Sequence, residues 1–282
     1  DREGMKLMFL AGYDPRWAVD LHAAYAKELG EIPSGLDHPT FDERIHYLEE
    51  YWSNEMAFAF ASFGQGTQRI EEAGKLESAD LNKAGQLYRE AIDDIKRFTL
   101  AFKRTKEALN NMGLAYAKLG LFELAQRKDK VAITRWYTEF SVETELAMKF
   151  VPLSKRKKTR GASGGQAAAL PASLRQAKVY LKGALTLDDN YQRARLNLSV
   201  VHLAANEFGS AETELNRILK DCTDTLCGVR PDQVKNLLGV VQAEQGKIEE
   251  AVKNFEESLK NQPDEKVSPP KIFNLARAMD KA

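Results

Sequence analysis

Apolar residues recur at helical spacing through most of the chain. One stripe in the segment that begins near Lys106 has members three or four residues apart: Leu109, Met112, Tyr116 and Leu119. The same spacing returns over residues 195–219 and 233–259. Strands require sustained alternation of apolar and polar residues, and no run of that kind lasts in this sequence. The pattern therefore predicts an all-α fold.

Turn residues divide these helical segments into pairs. We expect the helix that begins near Lys106 to end at Gly120, because glycine commonly follows the last turn of a helix. A second helix would begin near Phe122 and pack back on the first. The two later segments follow the same order of helix, tight turn near Gly or Asn, and helix. The sequence thus predicts a repeated helical hairpin.

Small residues recur in these segments where two helices would cross closely. Gly113, Ser199 and Gly239 take corresponding places, and the third segment also carries a turn glycine, Gly246, and a closing proline, Pro263. The segments resemble tetratricopeptide repeats, whose unit of about 34 residues pairs two helices. Second-helix signatures stand alone at residues 84–92 and 177–187. The resemblance implies an array from about Leu81 to the end of the chain.

The pattern suggests three parts. Residues 1–52 form an N-terminal segment, residues 53–80 a connecting helical segment, and residues 81–282 the repeat array. A loop is expected at about residues 152–172, where prolines and glycines enclose a short basic run. A run of that kind is typical of a solvated loop, so it adds no function.

Stacked repeats curve, and their concave side commonly binds peptides. The resemblance implies that first helices turn six side chains into this groove: Asn110, Leu114, Arg193, Leu196, Asn236 and Val240. Amide and guanidinium groups among them would pair with the backbone or terminus of an extended peptide. The alternative is that all six are ordinary packing or solvated positions.

Charge favours protein partners. The chain has 41 basic and 41 acidic residues, so no broad field favours nucleic acid or an anionic membrane. The longest apolar run, Met56 to Phe63, is far shorter than the roughly 20 residues that cross a bilayer. No basic-then-apolar leader is present either, so we expect the natural N-terminus to lie upstream.

The first fifty residues carry a different set of motifs. Asp1 and Gly4 precede the turn Ala-Gly-Tyr-Asp-Pro at residues 11–15, and His38-Pro39-Thr40 follows with Arg44 and Ile45 at fixed spacing; these motifs define the segment. The segment resembles the C-terminal part of the peptidase family that contains the CAAX prenyl protease and its soluble bacterial relatives. The resemblance covers about one fifth of the chain.

That resemblance implies zinc chemistry upstream. In the family a His-Glu-x-x-His helix and a later Glu bind zinc, whose bound water is activated for attack on a peptide carbonyl. By resemblance, Asp1 would hold a ligand histidine in its correct tautomer. His38 would contact substrate or occupy the open zinc position, and Arg44 would pair with a carboxylate or stabilise an oxyanion. Alternatively, residues 11–15 simply end a helix and His38 orders the loop before a helix that begins near Phe41.

The zinc-binding motif itself is absent from the sequence. The four histidines, His22, His38, His46 and His202, are too scattered to replace it, and the family's Glu ligand would precede residue 1. We therefore expect zinc only in the full-length protein. The chain alone is expected to be inactive.

The two cysteines bear on cellular location. Cys222 and Cys227 bracket four residues of a loop, and the sequence alone leaves a disulfide and two free thiols as alternatives. The peptidase resemblance favours the disulfide and with it a periplasmic or otherwise exported protein.

Two functions follow as hypotheses. In the first, the chain is the C-terminal portion of a zinc endopeptidase whose array binds protein clients in envelope protein quality control. In the second, it is a non-catalytic adaptor, and the repeats carry the whole function.

Overall fold

The computed structural model describes residues 1–11, 13–30, 39–103, 105–126, 139–140, 142, 170–222, 227–260 and 269–280. Within these ranges every regular element is helical and none is a strand, which confirms the all-α prediction. The predicted site residue His38 lies outside the described residues.

The helices of the described residues follow in chain order. They are α1 (Arg2–Leu10), α2 (Trp17–Leu29), α3 (Phe41–Tyr51), α4 (Ala57–Leu76), α5 (Leu81–Ala101), α6 (Lys106–Gln126), α7 (Ala172–Leu187), α8 (Gln192–Ala204), α9 (Phe208–Asp221), α10 (Pro231–Glu244), α11 (Ile248–Lys260) and α12 (Pro269–Met279). A π-helical stretch, Trp52–Met56, joins α3 to α4.

Successive helices pack as hairpins. The pairs are α4 with α5, α6 with α7, α8 with α9, and α10 with α11, while α12 packs on α10 and α11. The first helix of each pair also contacts the first helix of the next pair, and in the described ranges no comparable contact joins the second helices. The first helices, together with α12, therefore form the inner side of a curved array.

The turns of the last two hairpins share one backbone geometry. Asn206 and Gly246 both have positive φ, 56° and 81°, and the residue after each donates a backbone hydrogen bond to the carbonyl of His202 or Gln242. A residue of this conformation closes a helix because its amide neighbours satisfy the last carbonyls. The tight turn near Gly or Asn that the sequence predicts in the two later segments is therefore confirmed.

Gly120 does not end a helix, so the predicted turn there was wrong. α6 runs without interruption to Gln126, and its partner is α7, which begins only at Ala172. A Cβ on Gly120 would lie 2.5 Å from Leu174 Cγ and 2.9 Å from the Leu174 backbone nitrogen. The glycine is needed where α6 and α7 cross, and this close approach gives the same sequence signal as a turn.

The N-terminal helices share a core with the first hairpin. Met5 and Phe9 of α1 are buried in the same cluster as Leu48 and Tyr51. Thr40 caps α3 by accepting a hydrogen bond from the backbone of Glu43, whose side chain in turn accepts from the Thr40 backbone. This cap fits a helix that begins at Phe41, as predicted.

The predicted domain limits do not coincide with breaks in this packing. The division after residue 52 falls inside the continuous helical run from α3 to α4. α4, predicted as a connecting segment, packs along α5 as the first helix of a hairpin. Repeat-like packing thus begins at α4 rather than at Leu81, whereas residues 84–92 and 177–187 do lie in the second helices α5 and α7. Most of the loop predicted at residues 152–172 lies outside the described residues.

Candidate functional site

Buried asparagines join the first helices to one another. Asn111 of α6 donates to Thr67 Oγ1 of α4 at 3.1 Å, and Asn197 of α8 donates to Asn110 Oδ1 at 2.9 Å. At the other end of the array, Asn274 of α12 donates to Asn236 Oδ1 of α10 at 2.9 Å. A buried amide needs partners of this kind, and so these side chains fix the register of neighbouring helices.

The burial of these helix faces contradicts the predicted lining of the groove. Five of the six predicted side chains are no more than 1% exposed: Asn110, Leu114, Leu196, Asn236 and Val240. They pack against neighbouring helices, as in the alternative, and offer no surface to a peptide. Arg193 is the sixth, and it is half-buried. The periodicity placed the helices correctly but could not tell a crossing face from a binding face.

A short piece of the chain itself lies against the first helices. Arg193 Nη1 donates to the carbonyl oxygen of Val142 at 2.8 Å, and the ammonium of Lys118 lies 4.8 Å from the centre of the Phe140 ring. Phe140 also packs against both hydrophobic cores of the described residues, the first around α1, α4 and α5 and the second around α8 to α11. Glu139 forms ion pairs with Arg230, just before α10, and with Lys271 of α12. We call Glu139, Phe140 and Val142 the internal ligand.

Four charged side chains meet at Glu139. Arg230 Nη2 lies 3.3 Å from Glu139 Oε1, and Lys271 Nζ lies 3.4 Å from Glu139 Oε2. Lys271 also pairs with Asp232, and both of these side chains are only 2% exposed. Arg230 Nε is 3.3 Å from Asp232 Oδ1. Two cations thus face two carboxylates, and one of the carboxylates belongs to the internal ligand.

Lys118 is held in place by the turn between α4 and α5. Its ammonium lies 2.9 Å from Glu77 Oε1, which also accepts a 2.5 Å hydrogen bond from the Tyr88 hydroxyl. Burial, and then the charge of Glu77, raises the pKa of Tyr88, so the phenol stays protonated and donates. Lys118 is therefore fixed under the Phe140 ring, where a cation is favourably placed.

Most of this site could not be predicted from the sequence. Lys118, Arg230 and Lys271 lie outside the family positions from which the groove was predicted, and the internal ligand has no periodicity. Only the place of Arg230, directly before the proline that starts α10, could have marked it as a residue at a helix entrance.

Two of the predicted catalytic residues, Asp1 and Arg44, lie on the N-terminal helices α1 and α3. Asp1 is exposed and accepts a 3.0 Å backbone hydrogen bond from Met5 at the start of α1. Arg44 is half-buried on α3 near His22, whose pKa is lowered first by burial and then by the charge of Arg44. The catalytic roles of Asp1, His38 and Arg44 stay predictions.

The described residues do not fit a zinc site. In the part of the chain that the structure covers, no three His, Cys, Asp or Glu side chains converge to hold a metal ion. No helix among the described ranges is both long and apolar enough to cross a membrane.

Cys222 and Cys227 are bonded to each other. Their Cα atoms are 5.7 Å apart, which is the usual separation for a disulfide. Both side chains pack at the edge of the second core, after the end of α9. The oxidising compartment that such a bond implies stays a prediction.

Tetratricopeptide repeat families match residues 173–224 and residues 232–265. The chain contains tetratricopeptide repeats. The first match runs from α7 through α9, and the second covers α10 and α11. No curated protein matches the sequence.

Helical hairpins also form outside the matched residues. α4 with α5 and α6 with α7 pair in the same way, and their first helices continue the inner side of the array. Repeats of this type serve protein–protein interaction, and partners of the chain are accordingly proteins. The internal ligand lies on the side of the tetratricopeptide array where such partners are commonly bound.

Proposed function

We propose that this protein is a tetratricopeptide scaffold that binds an extended segment of a partner protein along its inner face. The observation that carries this proposal is the internal ligand, which is held by side chains of α6, α8 and α12 and by Arg230 at the start of α10. A surface that holds one short segment has the donors and the shape to hold another.

Two kinds of contact support this function. Arg193 binds a backbone carbonyl, which every peptide has, so that contact gives affinity without selecting a sequence. Lys118, Arg230 and Lys271 contact side chains and would select among sequences. The chain is neutral as a whole, so attraction of acidic segments comes from this local group of cations.

The test is a selection from a random peptide library displayed on phage, with the full chain as bait, followed by fluorescence anisotropy on the selected peptides. Arg193→Ala is expected to weaken binding about tenfold, because a hydrogen bond from a charged donor is lost. Lys253→Ala, an exposed residue of α11, is the matched control. Peptides that respond to Lys253→Ala and ignore Arg193→Ala would contradict the proposal.

Asn236→Ala is unsuitable for this experiment. Asn236 is buried and accepts a hydrogen bond from Asn274, so its removal would leave a buried amide without that partner. A loss of binding in that variant would report destabilisation of α10 and α12 rather than a peptide contact.

A second candidate function is the zinc endopeptidase, with the array recruiting clients in the bacterial envelope. One surface favours it. α2 has no buried residue and carries an exposed apolar ridge of four side chains: Trp17, Leu21, Tyr25 and Leu29. Large exposed apolar surfaces are usually covered by another protein or domain, and this ridge lies within the segment that resembles the end of a peptidase. A catalytic domain packed on α2 would cover it.

The endopeptidase candidate is tested on the full-length protein. We expect bound zinc in metal analysis and cleavage of casein, with cleavage lost when the Glu of the upstream His-Glu-x-x-His motif, the base that would activate the zinc-bound water, is replaced by Gln. Equal cleavage by the two proteins would refute the mechanism. In that case the adaptor function alone would stand.

A further inference from the structure

The internal ligand carries information about sequence preference. Its three described residues make three different contacts: a carboxylate with two cations, a ring with a cation and two apolar cores, and a backbone carbonyl with a guanidinium. The first two depend on side-chain type. They belong to adjacent residues, Glu139 and Phe140.

Charge balance explains why an acidic residue is needed. Lys271 is almost fully buried, and it shares Asp232 with Arg230. Without Glu139, two cations would face the single carboxylate of Asp232 at the start of α10. A buried excess cation is costly, so the site favours a segment that supplies a second carboxylate.

The aromatic contact lies beside this acidic one. Phe140 packs where the two cores meet, and Lys118 is fixed against its ring by Glu77. A ring there gains both apolar burial and the attraction of a cation. A small side chain at the same place would leave the edges of both cores exposed.

We infer that the inner face recognises extended segments in which an acidic residue directly precedes an aromatic one, and that Glu139 and Phe140 compete with such segments for the same contacts. This inference rests on the proposed scaffold function and names its ligand chemistry. A partner must displace a segment that is covalently attached and so is present at high effective concentration. The free chain is therefore a weaker binder than a chain without the Glu139–Phe140 pair.

The experiment compares the unsubstituted chain with its Glu139→Ala, Phe140→Ala double variant. The probe is a fluorescein-labelled peptide with the sequence of residues 135–146, and the control peptide carries Gln for its Glu139 equivalent and Ala for its Phe140 equivalent. We expect the double variant to bind the probe at least tenfold more tightly than the unsubstituted chain does. We also expect the double variant to bind the control peptide at least tenfold more weakly than it binds the probe. Equal affinities in either comparison would overturn the inference.

Two further variants serve as an alternative to the double variant and as a control. Glu139→Lys places a third cation beside Arg230 and Lys271, so it should release the internal ligand while Phe140 is kept. If circular dichroism shows that the double variant has lost helix, Glu139→Lys replaces it in the comparison with the unsubstituted chain. Glu256→Gln removes an exposed carboxylate of α11 and should bind the probe like the unsubstituted chain. An equal gain in Glu256→Gln would overturn the inference.

The phage selection separates failure of the inference from failure of the scaffold function. If the double variant enriches peptides without an acidic–aromatic pair, and Arg193→Ala weakens them, the scaffold function stands and the inference fails. If neither the unsubstituted chain nor the double variant enriches any peptide, both fail. Enrichment of acidic–aromatic pairs by the double variant supports both.

Discussion

The two hydrophobic cores of this molecule are built from different side chains. The first core, around α1, α4 and α5, contains a network of contacting rings: Phe9, Phe60, Phe63, Phe98 and Phe102. The second core, around α8 to α11, consists mainly of Ala, Val and Leu, and its fully buried aromatic side chain in the described residues is Phe255.

This difference explains which repeats are recognisable from sequence. Small and aliphatic side chains at fixed places let α8 to α11 follow one regular packing geometry, and both family matches lie largely there. The rings of the first core pack at varied angles to one another, and α4 and α5 are longer than the helices of the second core. The hairpin geometry persists in the first core although the repeat sequence does not.

Loss of a ring should have the largest effect on stability. Phe98→Ala removes a fully buried ring that contacts three others, and it is expected to lower the free energy of unfolding by about 3–5 kcal/mol. The measurement is urea denaturation followed by circular dichroism, with hydrogen exchange to locate the change. Exchange should rise in α4 and α5 more than in α10 and α11, since repeat units contact only their neighbours.

Leu100→Ala is the control for this substitution. Leu100 lies close to Phe98, near the end of the same helix, and is 77% exposed. Its loss should therefore change the free energy of unfolding by no more than about 0.5 kcal/mol. A uniform rise in exchange across both cores in Phe98→Ala would show that they unfold as one unit.

A pair of glycines on α4 gives the next largest effect. A Cβ on Gly66 would lie 2.6 Å from Ile95 Cγ1 and 3.0 Å from the Ala91 carbonyl oxygen, whereas nothing lies within 4 Å of one on Gly64. Gly66→Ala should cost about 1–3 kcal/mol through overpacking. Gly64→Ala should instead stabilise by about 0.5–1 kcal/mol through helix propensity. Thermal melting of both variants checks the opposite signs, and a gain in both would contradict the close crossing of α4 and α5.

The second core offers the corresponding comparison. A Cβ on Gly239 would lie 2.8 Å from the Phe255 ring and 3.1 Å from the Ala251 carbonyl oxygen. Gly239→Ala should cost about 1–2 kcal/mol, less than Gly66→Ala because the contacting ring can turn. Gly209→Ala on α9, where a Cβ has open space, is its control. A larger loss at Gly239 than at Gly66 would reverse the ranking of the two crossings.

The smallest effect depends on pH. Burial lowers the pKa of His202, and the hydrogen bond that its ring shares with the accepting Glu207 carboxylate offsets this only in part. The folded protein therefore holds the neutral ring while the unfolded chain takes up a proton below about pH 6.5, so stability is lost as the pH falls from there through the lowered folded pKa. Lys178 also contacts this pair and lowers the pKa of Glu207. Protonation of Glu207 therefore affects stability only at a pH below the range in which His202 titrates.

Urea midpoints at about pH 7.5 and about pH 5.5 measure this effect. His202→Gln should flatten the difference between the two midpoints, and the exposed His46→Gln of α3 is the control. An unchanged difference in His202→Gln would assign the pH dependence to other groups.

The fold was largely predictable from sequence, and the candidate site was not. Helical periodicity and small residues at crossings gave the hairpins of the second core because both signals are local. They failed at Gly120, since a glycine required by a close helix crossing looks the same as a glycine required by a turn. They failed again at Asn110 and Asn236, because burial against a neighbouring helix depends on the partner surface.

The internal ligand could not be found from sequence for a related reason. Glu139 lies far along the chain from Arg230 and Lys271, and isolated charges carry no periodic pattern. The superhelical path of the array brings them together, and that path is the sum of many small helix rotations.

The long connection between α6 and α7 sets an expected order of folding. α8 and α9 are separated by a few residues, whereas α6 ends at Gln126 and α7 begins at Ala172. Closing a loop roughly fifteen times longer costs about 2.4 kcal/mol more in chain entropy, and this cost must be met before the hairpin forms its contacts. The α8 to α11 hairpins should therefore form early, and α7 should then join as a template for α6. During synthesis on a ribosome, the N-terminal helices would therefore join a continuous array only after α7 to α11 have been synthesised.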